Sequence, residues 1–545
     1  MSSQPMNSAS LNRSIIMNIL KYAALFLIAG NLASAQQIRT IVLDGQSELV
    51  KVKIMVKAGS AFDPAGKEGL AALTSRLVLE GSYGDPKNPV TKEMLSDLVR
   101  PWGSNARPSV RLEKETATFS LEVPREAFAQ FADRVLKPMF SQPLFAGEEL
   151  DRIRKETQTT IASTLRLENT ELLGLYALDS YLHEKTSYAH LPAGTIKGLD
   201  GVSREDVFRF YRTYYRPENI IVALGTKTDE VGKLVRESLI GMGKTGSGKR
   251  LSAPKIDPPR PVMGRELLIV SQPTTIATGI HAGFPISLSR GQKDYWALYV
   301  ANVFLGTHRD GFGVLYDQIR QARGYNYGDY SYIEWFEGRP FYLFPPANVP
   351  RRHQYFSIWI RPVQHEYAHH IMKAFTWELE RLVREGMTPE HCEAAKNKAK
   401  VLYLNLAETS DRLLGYKLDD EFYGMKSGYL EQYLKEIDKL TPAEINAAIR
   451  KHLQWNNLKY VIVTNEEWAE RLKNDIASNT NASGKDFSSY QVDTVRVGGE
   501  LMWQFPKGKI ELVQKDKVWE SVWLDIPADR IRVVKSTELF ETGSR

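Results

Sequence analysis

Apolar and polar residues alternate from Leu49 to Val56, the two-residue period of a strand with one buried face. Ala58-Gly59-Ser60 and a Pro/Gly turn then lead into a helical pattern from Gly69. Ala117 to Val123 reads as a second strand, stopped by Pro124. Helical patterns follow over about 125–137 and 147–180, and Ser203 with Asp206 spells the capping box of another helix. An apolar run, Asn219 to Gly225, closes the segment as a buried strand.

The same plan returns further on. Leu199-Asp200, Ser203, Asp206, Val207, Arg212, Asn219 and Thr226 recur 238 residues later as Ile437-Asp438, Thr441, Glu444, Ile445, Arg450, Asn457 and Thr464. Pro124 and Pro362 keep the same spacing, each ending a strand and opening a helix. The second copy improves the cap, because Thr441-Pro442-Ala443-Glu444 adds proline at the first helical position. The expected fold class is α+β: two duplicated halves, each an antiparallel-rich sheet packed with helices. The first half spans residues 36–240 and the second 265–468, joined by a linker at 241–264 rich in Gly, Lys, Ser and Pro. Residues 469–545 form a small C-terminal extension with strand-like pieces at Ile510–Val513 and Ile531–Val534, each followed by an aromatic–Glu pair, Trp519-Glu520 and Phe540-Glu541.

Composition changes this picture at a few places only. The chain has 545 residues, 43% of them apolar and 25% charged, enough for more than one globular unit. In residues 1–35, Arg13 and Lys21 precede or abut the apolar run Tyr22–Ala29, and Ala33-Ser34-Ala35 offers a small-x-small cleavage site. That is the pattern of a secretory signal peptide, and no later run has the ~18 apolar residues of a membrane span. The expected localisation is periplasmic or secreted. Cys392 is the single cysteine, which excludes an internal disulfide and a cysteine-based zinc site. The 71 basic and 65 acidic residues are mixed, apart from the basic run Lys244–Arg250, so there is no nucleic-acid footprint.

Two segments carry candidate chemistry. The first, His365-Glu366-Tyr367-Ala368-His369, fits H-E-x-x-H, in which two histidines one helical turn apart hold zinc and the glutamate activates water. The helix it opens has its apolar face at Tyr367, Ile371, Ala374, Phe375, Leu379 and Leu382, which places His365 and His369 on the side of Lys373, Thr376 and Glu380. That side reads as solvent-facing, and Glu390 and Glu393 are the conceivable third ligands. The second segment is Gly69-Leu-Ala-Ala-Leu-Thr-Ser-Arg-Leu-Val-Leu-Glu-Gly-Ser82. It resembles the region of the insulinase and pitrilysin-like zinc peptidases that carries the inverted motif H-x-x-E-H. Ala72 stands where the first histidine belongs, Ser75 where the glutamate base belongs and Arg76 where the second histidine belongs. The family's third ligand falls near Glu156 or Thr160.

The resemblance extends to about residue 468. Tyr188–Thr195, Asp206–Tyr211 and Tyr214–Asn219 are similar to the segment closing the family's first half, and Leu315–Tyr327 to its L-R-E-x-x-G-x-x-Y segment. The family's arginine and tyrosine there, which reach substrate beside the zinc, match Arg320 and Tyr327. A guanidinium and a phenol suit a substrate carbonyl and a developing oxyanion; without the resemblance the two read as a surface cation and a half-buried strand residue. Members of this length are processing-peptidase-like half clamshells that pair, in several cases a zinc-bearing chain with one lacking the motif. The resemblance therefore implies a non-catalytic subunit of a heterodimeric zinc metallopeptidase. It holds no cofactor itself, has zinc in its partner, and offers Arg320 and Tyr327 as one wall of a chamber for peptides or unfolded polypeptides. The rival expectations are an autonomous zinc peptidase using His365, Glu366 and His369, and a peptide-binding scaffold or chaperone without proteolysis.

Overall fold

The strand at Leu49–Val56 forms as the alternation requires, with Val50, Val52, Ile54 and Val56 in the main core while Met55 turns to the opposite face. The computed structural model describes residues 38–543 except 45–46, 227–228, 244–254, 338–346, 348, 481–493, 498–499 and 504–507. Residues 1–35, read as a signal peptide, and the basic run of the linker lie outside the described residues.

Along the chain come β1 (Arg39–Leu43), β2 (Leu49–Val56), β3 (Tyr83–Asp85), β4 (Asn88–Val90), β5 (Ser109–Leu112), β6 (Ala117–Pro124) and β7 (Ile220–Gly225). β3 and β4 pair as a hairpin, and the other five form a sheet in the order β1-β7-β2-β6-β5. Then follow β8 (Arg265–Ser271), β9 (Thr278–Ile286), β10 (Asp329–Tyr332), β11 (Gln354–Val363), β12 (Leu458–Thr464), the hairpin β13 (Thr494–Val497) and β14 (Glu500–Trp503), and β15 (Ile531–Lys535). The second sheet runs β10-β11-β9-β12-β8-β15. Exchanging β1 for β8, β7 for β12, β2 for β9, β6 for β11 and β5 for β10 turns one order into the other. β1 is parallel to β7 as β8 is to β12, and the other equivalent neighbours are antiparallel. The repeat in the sequence is thus a repeat of topology, and both capping boxes, Ser203 with Asp206 and Thr441 with Glu444, are formed.

Helices α1 (Leu70–Glu80), α2 (Gly147–Thr159) and α3 (Thr170–Leu182) precede the second sheet. Helices α4 (Ala368–Glu385), α5 (Ser410–Tyr423), α6 (Glu466–Ser478) and α7 (Gly508–Glu520) come later. The expected helix over 147–180 is broken at Asn169, whose side chain caps α3 by accepting from the Leu172 amide at 2.9 Å. The two halves exchange equivalent helices. α3 packs on β9 and β12 of the second sheet, where Gly174 is required because a Cβ there would lie 2.5 Å from the His281 ring. α5 packs on β7 and β2 of the first sheet, Leu414 and Leu418 closing over Met55, Ile221 and Ala223. Between the halves, fully buried Arg351 meets Asp179 of α3 at 2.8 Å, and Lys114 meets the other oxygen of Asp179 at 3.2 Å. Two cations around one carboxylate satisfy what burial would otherwise leave unpaired.

The tail departs from expectation in one respect. Ile531–Lys535 is a strand, added parallel to β8 at the edge of the second sheet, but the expected strand at Ile510–Val513 lies inside helix α7. The buried face of α7 includes Asp516 and Trp519, one helical turn apart, so a charged residue sits where an apolar one would have revealed the 3.6-residue period. Beyond β15 the chain crosses to the first half: Leu539 O accepts from Arg166 at 2.7 Å, and Phe540 O from the Ile196 amide at 3.0 Å. No helix among the described residues is long and apolar enough to cross a membrane.

Candidate functional site

Helix α1 begins at Gly69, whose φ of 116° is a left-handed conformation that favours glycine, and Asp63 caps it by accepting from the Gly69 and Ala71 amides at 2.7 Å each. The cap fixes which face of α1 turns inward. Ala72, Ser75 and Arg76 lie on that face and line a cavity of about 940 Å³ between the halves. Ala72 brings no donor atom, and the Ser75 hydroxyl donates to the Ala72 carbonyl at 3.1 Å. Arg76 spends its guanidinium on three partners: Glu80 at 2.7 Å, Glu156 of α2 at 2.7 Å and the Thr157 hydroxyl at 3.1 Å. Of the two positions considered for a third ligand, Glu156 is the one facing Arg76, while Thr160 donates to the Glu156 carbonyl at 3.0 Å.

The electrostatics follow from these contacts. Burial works to raise the Glu80 carboxyl, but hydrogen bonds and charge from Arg76 and Lys92 outweigh it and hold the group down to about 2. The hydrogen bond from Arg76 lowers Glu156 as well. These residues do not fit a zinc ion: the ligand positions hold a methyl group, a hydroxyl bonded within its helix and a cation. That cation already balances the carboxylates on which a metal would depend. Among the described residues no three His, Cys, Asp or Glu side chains are grouped to hold a metal.

Charged pairs from the two halves also meet at the cavity wall: Lys53 with Asp411 at 2.8 Å and Arg111 with Glu337 at 2.7 Å. His281 lines the same space, held neutral by burial, which lowers it to about 3, with Nε2 3.1 Å from the Glu171 carbonyl. The sequence reading missed these residues. Lys53, Arg111 and His281 occupy ordinary strand positions, Asp411 opens a helix and Glu337 lies in a loop, and their partners are distant in sequence.

Arg320 and Tyr327 lie outside the cavity lining. Arg320 sits in a wide helical turn, Tyr316–Gln321, with its guanidinium 4.7 Å from the Tyr316 ring centroid and 5.0 Å from that of Tyr327. Tyr327 is 72% exposed and has a second cation, Arg361, 5.6 Å from its ring. Arg361 bonds Glu171 at 3.0 Å, and Glu171 lines the cavity, so the Arg320–Tyr327 pair is one ion pair removed from it. The phenol is exposed at the surface, with the half-buried guanidinium against its ring.

His365 and His369 are not solvent-facing as expected from their helix; both are buried. His365 Nδ1 lies 2.8 Å from the Thr278 hydroxyl and 3.0 Å from that of Thr464, its Nε2 lies 3.1 Å from the Asn465 amide, and its ring stacks on Trp468. His369 Nδ1 lies 2.8 Å from Asp475. His370 meets Glu520 at 2.9 Å, and Lys373 and Thr376 are buried too. The reason for the difference is what lies on that face: β9 and β12 meet His365 through Thr278 and Thr464 and Thr376 through Tyr460, while α6 and α7 cover the rest with complementary polar groups. Glu390 and Glu393, weighed as third ligands, sit on the exposed side of the following helix, and Glu393 pairs with Lys396 at 3.0 Å.

Comparison with known proteins adds the following. The family described as Insulinase (Peptidase family M16) matches residues 40–174, and the one described as Peptidase M16 inactive domain matches residues 201–399, together more than half of the chain. An uncharacterized zinc protease of Mycobacterium tuberculosis is 26% identical over 263 residues, which cover 47% of this chain and 54% of that protein, so the match spans about half the relative's length. The non-peptidase homolog YmxG of Helicobacter pylori is 21% identical over 429 residues, 76% of this chain and 89% of that one. Among solved structures, a peptidase M16 inactive domain from Pseudomonas fluorescens matches with a TM-score of 0.66 at 20% identity, over 79% of this chain and 96% of that one. A protease from Helicobacter pylori matches at 0.63 and 13%, over 78% and 97%.

Proposed function

The chain belongs to the insulinase-like peptidase family, M16, and on that premise we propose that it is the non-catalytic partner of a zinc-bearing family member. The observation that carries the reading is a contrast within one chain. Arg76 is bonded to Glu156 where the family's metal would sit, while Arg320 and Tyr327 remain paired and displayed. In this reading the partner supplies zinc and the general base. Arg320 holds a substrate carbonyl and Tyr327 donates to the oxyanion, for a peptide or unfolded polypeptide enclosed between the two chains. The composition of residues 1–35 supports a periplasmic or secreted setting for this pair.

The test is reconstitution with an intact-motif family chain from the same organism, scored on an unfolded polypeptide. The mixture cleaves it, and Arg320→Ala or Tyr327→Phe lowers kcat/KM on the order of a hundredfold, the usual cost of removing an oxyanion donor. A mixture whose rate ignores both substitutions overturns the proposal. Cell fractionation that finds the chain in the cytoplasm overturns the setting.

A further inference from the structure

We propose that the C-terminal helix α7 is a clamp that holds the segment carrying Arg320 and Tyr327, and that Asp516 is its main positioning residue, acting through Arg323. Arg323 follows Arg320 by three residues, two past the end of the wide turn Tyr316–Gln321. Such turns give up the regular helical hydrogen-bond pattern and need outside support to persist. Here the support is concentrated on one side chain. The Arg323 side chain is buried; its Nε donates to Asp516 at 2.6 Å, Nη2 to the Leu512 carbonyl at 3.2 Å and Nη1 back to the Gln318 carbonyl, and its guanidinium lies 4.1 Å from the Trp519 ring centroid. Lys515 adds a bond to the Gln318 side chain at 2.9 Å. A fork fixed at three nitrogens and stacked on an indole leaves the turn little freedom.

The far side of α7 is anchored on α4. Lys515 also pairs with buried Glu378, Glu520 accepts from Lys373 at 3.1 Å through its carbonyl and meets His370 at 2.9 Å, and Trp519 is wholly buried. The tail therefore joins a rigid helix to the turn that presents Arg320. Arg323 looks like a neighbour of the functional pair in sequence, yet its side chain points away from it, into the tail. Residues 508–520 thus set where the Arg320 guanidinium stands.

Two measurements test the clamp separately from the reading of Arg320 and Tyr327, on which its catalytic consequence rests. In the isolated full chain, Asp516→Ala speeds amide hydrogen exchange across residues 316–327 by about tenfold or more while α1 and α3 keep their protection. Unchanged exchange there in a folded variant overturns the clamp. If Asp516→Ala does not fold, Asp516→Asn and Lys515→Ala, which each remove only part of the grip, are read in the same way. In the reconstituted pair, Asp516→Ala lowers kcat more than it changes KM, Arg323→Lys falls between it and the unsubstituted chain, and adding Asp516→Ala to Arg320→Ala costs nothing further. Full additivity of those two substitutions rules out positioning. A rate that ignores Arg320→Ala instead overturns the proposed function and leaves the exchange result to decide the clamp.

Discussion

Helices α1 and α4 treat their candidate metal motifs in different ways. At the start of α4 the histidines are present, but His365, in the turn that leads into the helix, faces Thr278, Thr464 and Asn465 while His369 turns to Asp475, so their ring nitrogens serve separate partners. On α1 the histidines are absent, yet Ala72, Ser75 and Arg76 share a cavity wall, and Arg76 faces Glu80 and Glu156 together. A metal site is a matter of focus before it is a matter of residue type: several donors must aim at one point. α4 has the letters without the focus, and α1 keeps the focus with a guanidinium standing in it.

The strongest way to break this contrast is to return donors to α1. Ala72→His with Arg76→His places two imidazoles one turn apart opposite Glu156, and the variant is expected to bind one zinc per chain by metal analysis. At a thousandfold excess over Kd the bound ion stabilises the fold by about 4 kcal/mol, read as a rise in Tm. No metal above the unsubstituted chain means that Glu156 is not aligned with these positions.

On α4 the expected effect is structural. Asp475→Ala takes the carboxylate from buried His369 and costs about 1–3 kcal/mol in denaturant unfolding, with no change in metal content. A loss of bound zinc instead would show that α4 carries a site after all.

The pH dependence of stability distinguishes the helices more finely. Glu80 is lower in the folded chain than its unfolded value of about 4.3. Its contribution is therefore complete above that value and disappears as the pH falls through about 2. Arg76→Met removes one of the three cations beside Glu80 and shrinks this acid limb in an unfolding titration. An unaltered limb would separate Glu80 from Arg76. Smallest of all is Glu366→Gln, expected to stay within about 0.5 kcal/mol in stability and to leave the reconstituted peptidase rate unchanged. A collapse of that rate restores the H-E-x-x-H motif as the catalytic centre.

Much of the fold could be read from the chain because the strands alternate cleanly and the caps repeat: β2, β6 and β7 fall where the pattern puts them, and Ser203 and Thr441 open their helices as expected. The misreadings share a cause. Lys373 and Glu378 of α4 are met by Glu520 and Lys515 of α7, and Asp516 of α7 by Arg323, so these charges look like solvent residues when each segment is read alone. Hydropathy records transfer to water and is blind to polar groups that satisfy one another. The exchange of α3 and α5 was equally hidden. Leu173, Leu175, Leu178 and Leu182 say that α3 is enclosed on several sides, but not that its cover comes from the other half. At the site, the emptied positions Ala72, Ser75 and Arg76 were legible one by one, whereas the pairing of Arg76 with Glu156 required the fold.

The exchanged helices also set a timetable. When β7 leaves the ribosome the first sheet has all its strands, but the helix that covers Met55, Ile221 and Ala223 is still about 185 residues away, between Gly225 and Ser410. At roughly 5–20 residues per second that interval is on the order of 10–40 s, during which one apolar face of a finished sheet waits uncovered. The first sheet is thus completed only by a helix of the second half, and neither half can bury its own surface without the other.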